Sequence, residues 1–172
     1  MKRIKYLVLI STVLFILSSC RKIEHLPAVP RIEFRSFDIF DTTDILGNKA
    51  KGGRLKFYFE DGDGDLGLNA PSDAQTDTTN LFFILLRKTG EKMDRAPAND
   101  PLRPSSYRIP FMDRQGQNKI LKGTISVTFL YLFYFPSDTI GYKFYIKDRA
   151  LNVSDTASTS EIVVSVNKLY IK

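Results

Sequence analysis

The stretch LKFYFEDGDGDLGLNA, residues 55–70, joins an alternating apolar segment directly to a loop crowded with carboxylates. Leu55, Phe57 and Phe59 alternate with residues that tolerate water, which is the two-residue period of a β-strand with one buried face. Alternating aspartate and glycine then favour a tight turn over continuation of the strand. A half-buried strand that ends in such a loop predicts an antiparallel sheet.

Further strand patterns lie on both sides of this stretch. Residues 140–147 alternate in the same way, and residues 81–88, LFFILLRK, form a continuous apolar run typical of a central strand. Residues 31–40 change phase after Phe34, as a bulged strand would. We expect other strands at 107–112, 120–135 and 162–166, a bulge at Gly123 and a turn at 47–53.

The whole pattern predicts the fold class. About seven strands are separated by turn signals, and no segment has the period of an amphipathic helix. Residues 31–172 are therefore predicted to form an all-β domain, an immunoglobulin-like antiparallel β-sandwich. Residues 89–106, which contain three prolines, interrupt it as an insertion that is either a recognition loop or a spacer without structure.

Asp61, Asp63 and Asp65 place three carboxylates within five residues of chain. Calcium takes about six to eight oxygen ligands, and the intervening glycines let the chain curl around one point. An EF-hand is excluded, because Leu66 occupies the position of its glycine and Ser72 the position of its bidentate glutamate. The loop is predicted to bind calcium on a β-scaffold. The alternative is a solvated turn whose side chains bond their own backbone.

The predicted sandwich brings a second loop to the same end. If the segment before the acidic loop is strand B and residues 140–147 are strand F, the B–C and F–G loops lie side by side. Asp148 and Asn152 would then complete the calcium ligands, and Asp155 is a further candidate. Arg149, in the same loop, is the countercharge that the solvated-turn alternative requires.

The N-terminus has the pattern of a secretory signal peptide. A basic start precedes an apolar stretch too short for an ordinary membrane span, and residues 17–20, LSSC, resemble the cleavage box of bacterial lipoproteins. The resemblance implies removal of residues 1–19, a covalent diacylglycerol on Cys20, and a lipidated tether over residues 20–30 that holds the domain to a membrane. Cys20 is the only cysteine, so an intramolecular disulfide is excluded.

Charge and motif content bound the function. Residues 1–19 contain three of the 25 basic residues and none of the 19 acidic ones, so their removal lowers the formal net charge from +6 to +3. Such a weak charge is typical of a solvated surface, and we expect no nucleic-acid partner. His25, the only histidine, lies in the tether, and no nucleophile elbow, zinc ligand set or phosphate loop is present. We therefore predict that the chain is not an enzyme.

Three motifs carry a family resemblance: FYFEDGDGDLGL at 57–68, KGTISV at 122–127 and YIKDRALNVSD at 145–155. Together they resemble small lipoproteins of Bacteroidetes-type cell envelopes. The resemblance implies an immunoglobulin-like domain anchored in the outer membrane, and it supplies no ligand. Leu151 stands where such loops usually carry glycine, and the residues after Cys20 are basic where surface-exposed members often have an acidic cluster. The sequence therefore leaves two alternatives for the location of the domain, the periplasmic side of the outer membrane and the cell surface.

Two further sets of residues are candidates for contacts with sugars. Four Asp-Thr pairs resemble O-glycosylation acceptors of the same envelopes, although Asp-Thr is also ordinary loop chemistry. Their threonines are Thr42, Thr78, Thr139 and Thr156. Tyr58, Tyr131 and Tyr145 are candidates for stacking on a sugar, and packing within the sandwich is the alternative.

These observations predict a lipid-anchored protein of the cell envelope. It would be a non-enzymatic, calcium-stabilised interaction or accessory module whose partner is an envelope protein or a glycan. The alternative is a glycan-binding accessory lipoprotein of a nutrient-uptake system, which needs an exposed aromatic platform. A third hypothesis is a hydrolase that uses the acidic loop, which needs two converging carboxylates in a cleft without a cation between them.

Overall fold

A computed structural model describes residues 25–70, 79–113 and 119–172. Within these ranges all regular elements are β-strands. They are β1 (Arg31–Thr43), β2 (Lys49–Asp61), β3 (Leu81–Thr89), β4 (Lys92–Arg95), β5 (Leu121–Tyr131), β6 (Thr139–Ile146), β7 (Ala157–Ser158), β8 (Ile162–Val163) and β9 (Lys168–Ile171). No helix in the described residues is long and apolar enough to cross a membrane.

The strands form two antiparallel sheets with a shared core between them. The order is β5-β2-β1-β9 in the first sheet and β4-β3-β6-β7 in the second, where β8 also pairs with β6. Strand β2 therefore lies in one sheet while β3 and β6 are neighbours in the other, which is the relation expected of strands B, C and F. The predicted all-β sandwich is confirmed.

The described part of the chain has nine strands, where the sequence predicted about seven. Strands β4 and β9 have the sequences KMDR and KLYI, which are too short to show a strand period. They form because the edges of β3 and β1 offer unpaired backbone groups. The segment 107–112, predicted as a strand, makes only isolated bridges, through Tyr107 to Leu81 and through Pro110 to Leu68.

The predicted bulge in β1 is confirmed. The register against β2 shifts between Phe34 and Ser36, so Arg35 is the extra residue. Because of this shift both apolar pairs of the strand point into the core; they are Ile32 with Phe34, and Phe37 with Ile39.

Two glycine predictions were wrong. The turn lies at Asp44–Asn48, where Gly47 donates to the Asp44 carbonyl, and Gly53 belongs to β2 instead of a turn at 47–53. A Cβ on Gly53 would lie 2.7 Å from Cζ of buried Phe37, so this glycine makes room for a core ring. Gly123 is not a bulge either, because its strand keeps an unbroken register with β2.

The insertion at 89–106 is packed against the sandwich, which contradicts the spacer alternative. Arg87 on β3 donates through Nε to Asp100 of the insertion, and through Nη1 to Asp138 over 2.6 Å. Leu102 is fully buried, and its carbonyl accepts a hydrogen bond from the hydroxyl of Tyr142. These contacts cover one end of the core with the insertion.

Candidate metal centre

Strand β2 delivers the first carboxylate of the cluster into the core. Its inward positions follow the two-residue period from Leu55 through Phe57 and Phe59 to Asp61, and all four side chains are buried. Asp61 is 0 % exposed. Its Oδ2 accepts a hydrogen bond of 2.7 Å from the amide of Leu66, which closes the loop that follows the strand.

The loop reverses direction at glycines. Gly64 and Gly67 have φ angles of +67° and +97°, in the left-handed region that favours glycine. A Cβ on Gly67 would also lie 2.4 Å from the carbonyl oxygen of Pro110, so the loop backbone packs directly on the 107–112 segment. This curvature turns Asp63 and Asp65 back toward Asp61.

The three aspartates meet at one point. One carboxylate oxygen from each of Asp61, Asp63 and Asp65 lies within 4.8 Å of the others. Oδ1 of each carboxylate is shielded from solvent, and Oδ1 of Asp61 and of Asp65 accept no hydrogen bond from the described residues. Carboxylate oxygens shielded from water at this spacing require a positive charge or protons between them. The acidic triad is thus a group of residues able to hold a metal ion.

The electrostatics of the cluster agree with its geometry. Burial raises the pKa of Asp61 to about 6, the amide of Leu66 opposes that rise, and the facing carboxylate of Asp63 adds to it. Burial also raises the pKa of Asp65, with repulsion from Asp148 and Asp63 as further causes. Both shifts mean that ionised carboxylates here lack a compensating charge.

The F–G loop meets the acidic loop, as the sandwich predicted. The amide of Ala150 donates 2.9 Å to Oδ2 of Asp65, and Nη1 of Arg149 donates 2.7 Å to the carbonyl of Gly67. The same guanidinium lies 5.0 Å from the ring centre of Phe111. Among the described residues Arg149 forms no ion pair with the cluster, although its charge lowers the pKa of Asp65. It is not the direct countercharge of the triad.

Asp148 and Asn152 are close to the cluster but bond to each other. Oδ1 of Asp148 accepts the Asn152 amide at 2.7 Å, and its Oδ2 accepts the Asn152 side-chain amide at 2.9 Å. Asp155 instead accepts the amide of Ile32 at 3.0 Å and so holds the start of β1. Among the described residues the compact group of acidic oxygens consists of the triad, and Asp148 supplies additional negative charge beside Asp65.

The chemistry of the three carboxylates indicates which metal ions the triad is able to hold. Carboxylate oxygens are hard ligands that suit Ca²⁺ or Mg²⁺, whereas zinc and copper sites draw on histidine and cysteine, and the triad contains neither. The triad lies in a glycine-rich loop, and its oxygens are of the kind that either ion accepts.

Other predicted site residues have varied environments. Cys20 and Thr78 lie outside the described residues, Thr42 and Thr139 are half-buried in strands, and Thr156 is exposed. Tyr131, a candidate for stacking on a sugar, is instead packed within the sandwich, because it is buried and its hydroxyl lies 3.0 Å from that of Tyr142.

Tyr58 and Tyr145 are half-buried on the outer faces of the sheets. The guanidinium of Arg35 lies 5.2 Å from the ring centre of Tyr58, and the ring of Tyr145 stacks on Phe82 with centres 5.1 Å apart. Packing on the outer strand face, the alternative to sugar stacking, accounts for both tyrosines.

Sequence reasoning missed the apolar end of the sandwich. The hairpin between β1 and β2 exposes Ile45 and Leu46, and the loop after β5 exposes Phe133 and Phe135. Antiparallel β2 and β5 place both features together, because Tyr131 pairs with Lys51 near the hairpin while Leu121 pairs with Asp61. These apolar side chains therefore lie at the end opposite the acidic triad. The run FYF at 133–135 was the available signal, but it directly follows the pattern of the preceding strand and was interpreted as part of the strand region at 120–135.

No family model, curated protein or solved structure matches this chain.

Proposed function

We propose that this protein is a lipid-anchored, non-enzymatic module of the cell envelope whose β-sandwich is stabilised by a calcium ion bound at Asp61, Asp63 and Asp65. The observation that carries the proposal is the convergence of three carboxylates on one point, with Asp61 buried and its Oδ1 accepting no hydrogen bond from the described residues. A divalent cation there would neutralise charge that burial makes costly.

The proposed ion would join separate parts of the fold. Asp61 ends a strand of the first sheet, and Asp65 is bonded to Ala150 in the loop that leaves β6 of the second sheet. Stabilisation at this point would therefore hold the two sheets together at one end. The remaining ligands would come from backbone carbonyls and water, as is usual for calcium.

The membrane anchor rests on the sequence of the N-terminus. The LSSC box predicts acylation of Cys20, and Leu26 already lies against the folded domain. Six residue steps span at most about 21 Å, so the end that carries the acidic triad would stay close to the bilayer. The apolar end with Phe133 and Phe135 would then point away from that membrane, toward a partner.

Calcium titration of the mature protein tests the metal centre. Isothermal calorimetry should show one binding site, and the melting temperature should rise with calcium concentration as mass action requires. Asp63→Asn should abolish both effects. Asp38→Asn, which removes a carboxylate from the outer face of β1, should leave them unchanged. Absence of binding heat and of a thermal shift at millimolar calcium would refute the metal centre.

Acylation is tested separately by labelling cells with a radioactive fatty acid. Label on the wild-type protein and its loss in Cys20→Ser would support the anchor. An unlabelled wild-type protein that fractionates as soluble would refute it, whatever the outcome with calcium.

A second candidate function, glycan binding, is favoured by the exposed rings. Phe133 and Phe135 are 74 % and 72 % exposed, and such rings are able to stack on sugar faces. Glycan-array binding that disappears in Phe133→Ser and in Phe135→Ser, but survives Asp63→Asn, would support this function. The hydrolase hypothesis gains no support from the triad, because Oδ1 of each aspartate is buried where a hydrolase needs an open cleft.

A further inference from the structure

The segment that leads from the anchor to the domain lies directly on the acidic loop. The amide of Gly62 donates a hydrogen bond of 3.0 Å to the carbonyl of Pro27. A Cβ on Gly62 would lie 2.2 Å from the carbonyl oxygen of Leu26 and 2.4 Å from that of Pro27. Two backbones are thus in contact here, and only glycine allows so close an approach.

Gly62 stands between Asp61 and Asp63 in the chain. The same three residues therefore contribute two carboxylates to the triad and a backbone contact to Leu26 and Pro27. A change in the backbone conformation of residues 61–63 must therefore alter both the spacing of the carboxylates and the contact with the linker, because Gly62 is covalently bonded to Asp61 and to Asp63.

We propose that the cation at the acidic triad controls docking of the linker at Leu26 and Pro27, and hence how far the domain stands from the membrane. This inference rests on the proposed calcium site. With the ion bound, the three carboxylates converge, and the backbone of Gly62 is held where its amide donates to Pro27. Without it, repulsion between the carboxylates opens the loop and the contact with Pro27 is lost.

The range of the movement follows from the contacts that remain. Pro30 is buried, and the amide of Ile32 is held by Asp155, so release of the linker stops at the start of β1. The number of residue steps between Cys20 and the first contact with the domain would rise from six to about ten. Its maximum reach would rise from about 21 Å to about 35 Å.

Hydrogen–deuterium exchange on the mature protein, purified from membranes in detergent, tests this coupling. Peptides covering Gly62, whose amide donates to Pro27, are compared with peptides of the hairpin at 42–50, which lies at the opposite end of the sandwich. Calcium should slow exchange at residue 62 about tenfold, with the midpoint that calorimetry gives for binding, and leave the hairpin unchanged. Gly62→Ala should keep the binding heat and lose the slowing. Gly123→Ala, whose Cβ meets only ordinary contacts, is the matched control.

Each outcome separates this inference from the proposed function. Binding heat without any change in exchange at residue 62 would overturn the coupling and leave the calcium site intact. Absence of binding heat would refute the calcium site itself. Slowing that persists in Gly62→Ala would overturn the role of the Gly62 contact. If Gly62→Ala unfolds, rapid hairpin exchange reveals it, and the wild-type titration decides alone.

Discussion

The amide of Ala150 donates a hydrogen bond to Oδ2 of Asp65 across 85 residues of chain. It joins the loop that leaves β2 to the loop that leaves β6. Oδ2 of Asp65 is occupied in this way, while its Oδ1 is buried and accepts no hydrogen bond from the described residues. The carboxylate is therefore compatible with both the turn and the cation that the sequence predicted as alternatives. One oxygen stabilises the turn, and the other is available to a cation.

Stability in calcium-free buffer should depend on the protonation of Asp61. Its pKa is raised to about 6, so the folded state binds more protons than the unfolded state between roughly pH 4 and 6. The free energy of unfolding should therefore be highest below this window and fall as the pH rises through it, by at most about 3 kcal/mol. Urea denaturation from pH 4 to 7 measures this. Asp61→Asn should remove the decrease, and an increase in the wild type relative to this variant would contradict the assignment.

Asp148 should act on the loop more than on the ion. Each oxygen of its carboxylate accepts a hydrogen bond from Asn152, so Asp148→Asn should lower the free energy of unfolding by about 1 kcal/mol, because one of the two acceptors becomes an N–H group that faces another N–H. Calcium affinity should fall less than about tenfold, as expected for loss of a nearby charge. A complete loss of binding heat, as in Asp63→Asn, would instead make Asp148 a ligand.

Leu151 has a φ of +70°, alone among the described non-glycine residues in having a positive φ. A left-handed conformation costs a residue with a Cβ about 1–2 kcal/mol, and this side chain is largely exposed, so it loses little packing on removal. Leu151→Gly should raise the free energy of unfolding by about 0.5–1 kcal/mol, since glycine entropy offsets part of the relief. Thermal unfolding of Leu151→Gly and Leu151→Ala checks this, and equal effects of the two would contradict the strain.

Gly53 should not tolerate a side chain. Its added Cβ would meet the rings of Phe37 and Tyr131 at 2.7 Å, and both rings are buried. Gly53→Ala should destabilise by about 1–3 kcal/mol through overpacking. Gly123→Ala is the matched control on the adjacent strand, because its nearest neighbour is an ordinary 3.5 Å contact with Phe59. Urea denaturation with equal midpoints for the two variants would contradict the packing argument.

Asp100 should hold the insertion onto the sandwich. Burial opposes ionisation, but the guanidinium of Arg87 outweighs it and lowers the pKa of Asp100. Stability from this pair is present above the ordinary aspartate pKa and is lost as the pH falls through the lowered value. Asp100→Ala should cost about 2–3 kcal/mol, reduced from the fully buried case because Arg87 is partly exposed. In Asp100→Ala, amide hydrogen exchange should become faster at residues 97–103 and should keep its wild-type rate in the rest of the domain.

Much of the fold could be predicted because burial leaves a period in a strand. The alternation of Leu55, Phe57 and Phe59, and the phase change after Phe34, correspond to observed inward faces and to an observed bulge. Strands β4 and β9 could not be predicted in this way. Their residues are mostly exposed, so pairing with an existing edge, and not burial, makes them strands.

The sequence by itself determined that three carboxylates are crowded after a half-buried strand, and that an all-β sandwich places them beside the F–G loop. Only the tertiary structure decided that Asp61 is enclosed and that Asp148 is bonded to Asn152. It alone showed that the backbone of Gly62 contacts Leu26 and Pro27. The reason is that alternation reports the face of a strand on which a residue lies, whereas hydrogen-bond partners and close backbone approaches depend on segments far apart in the chain.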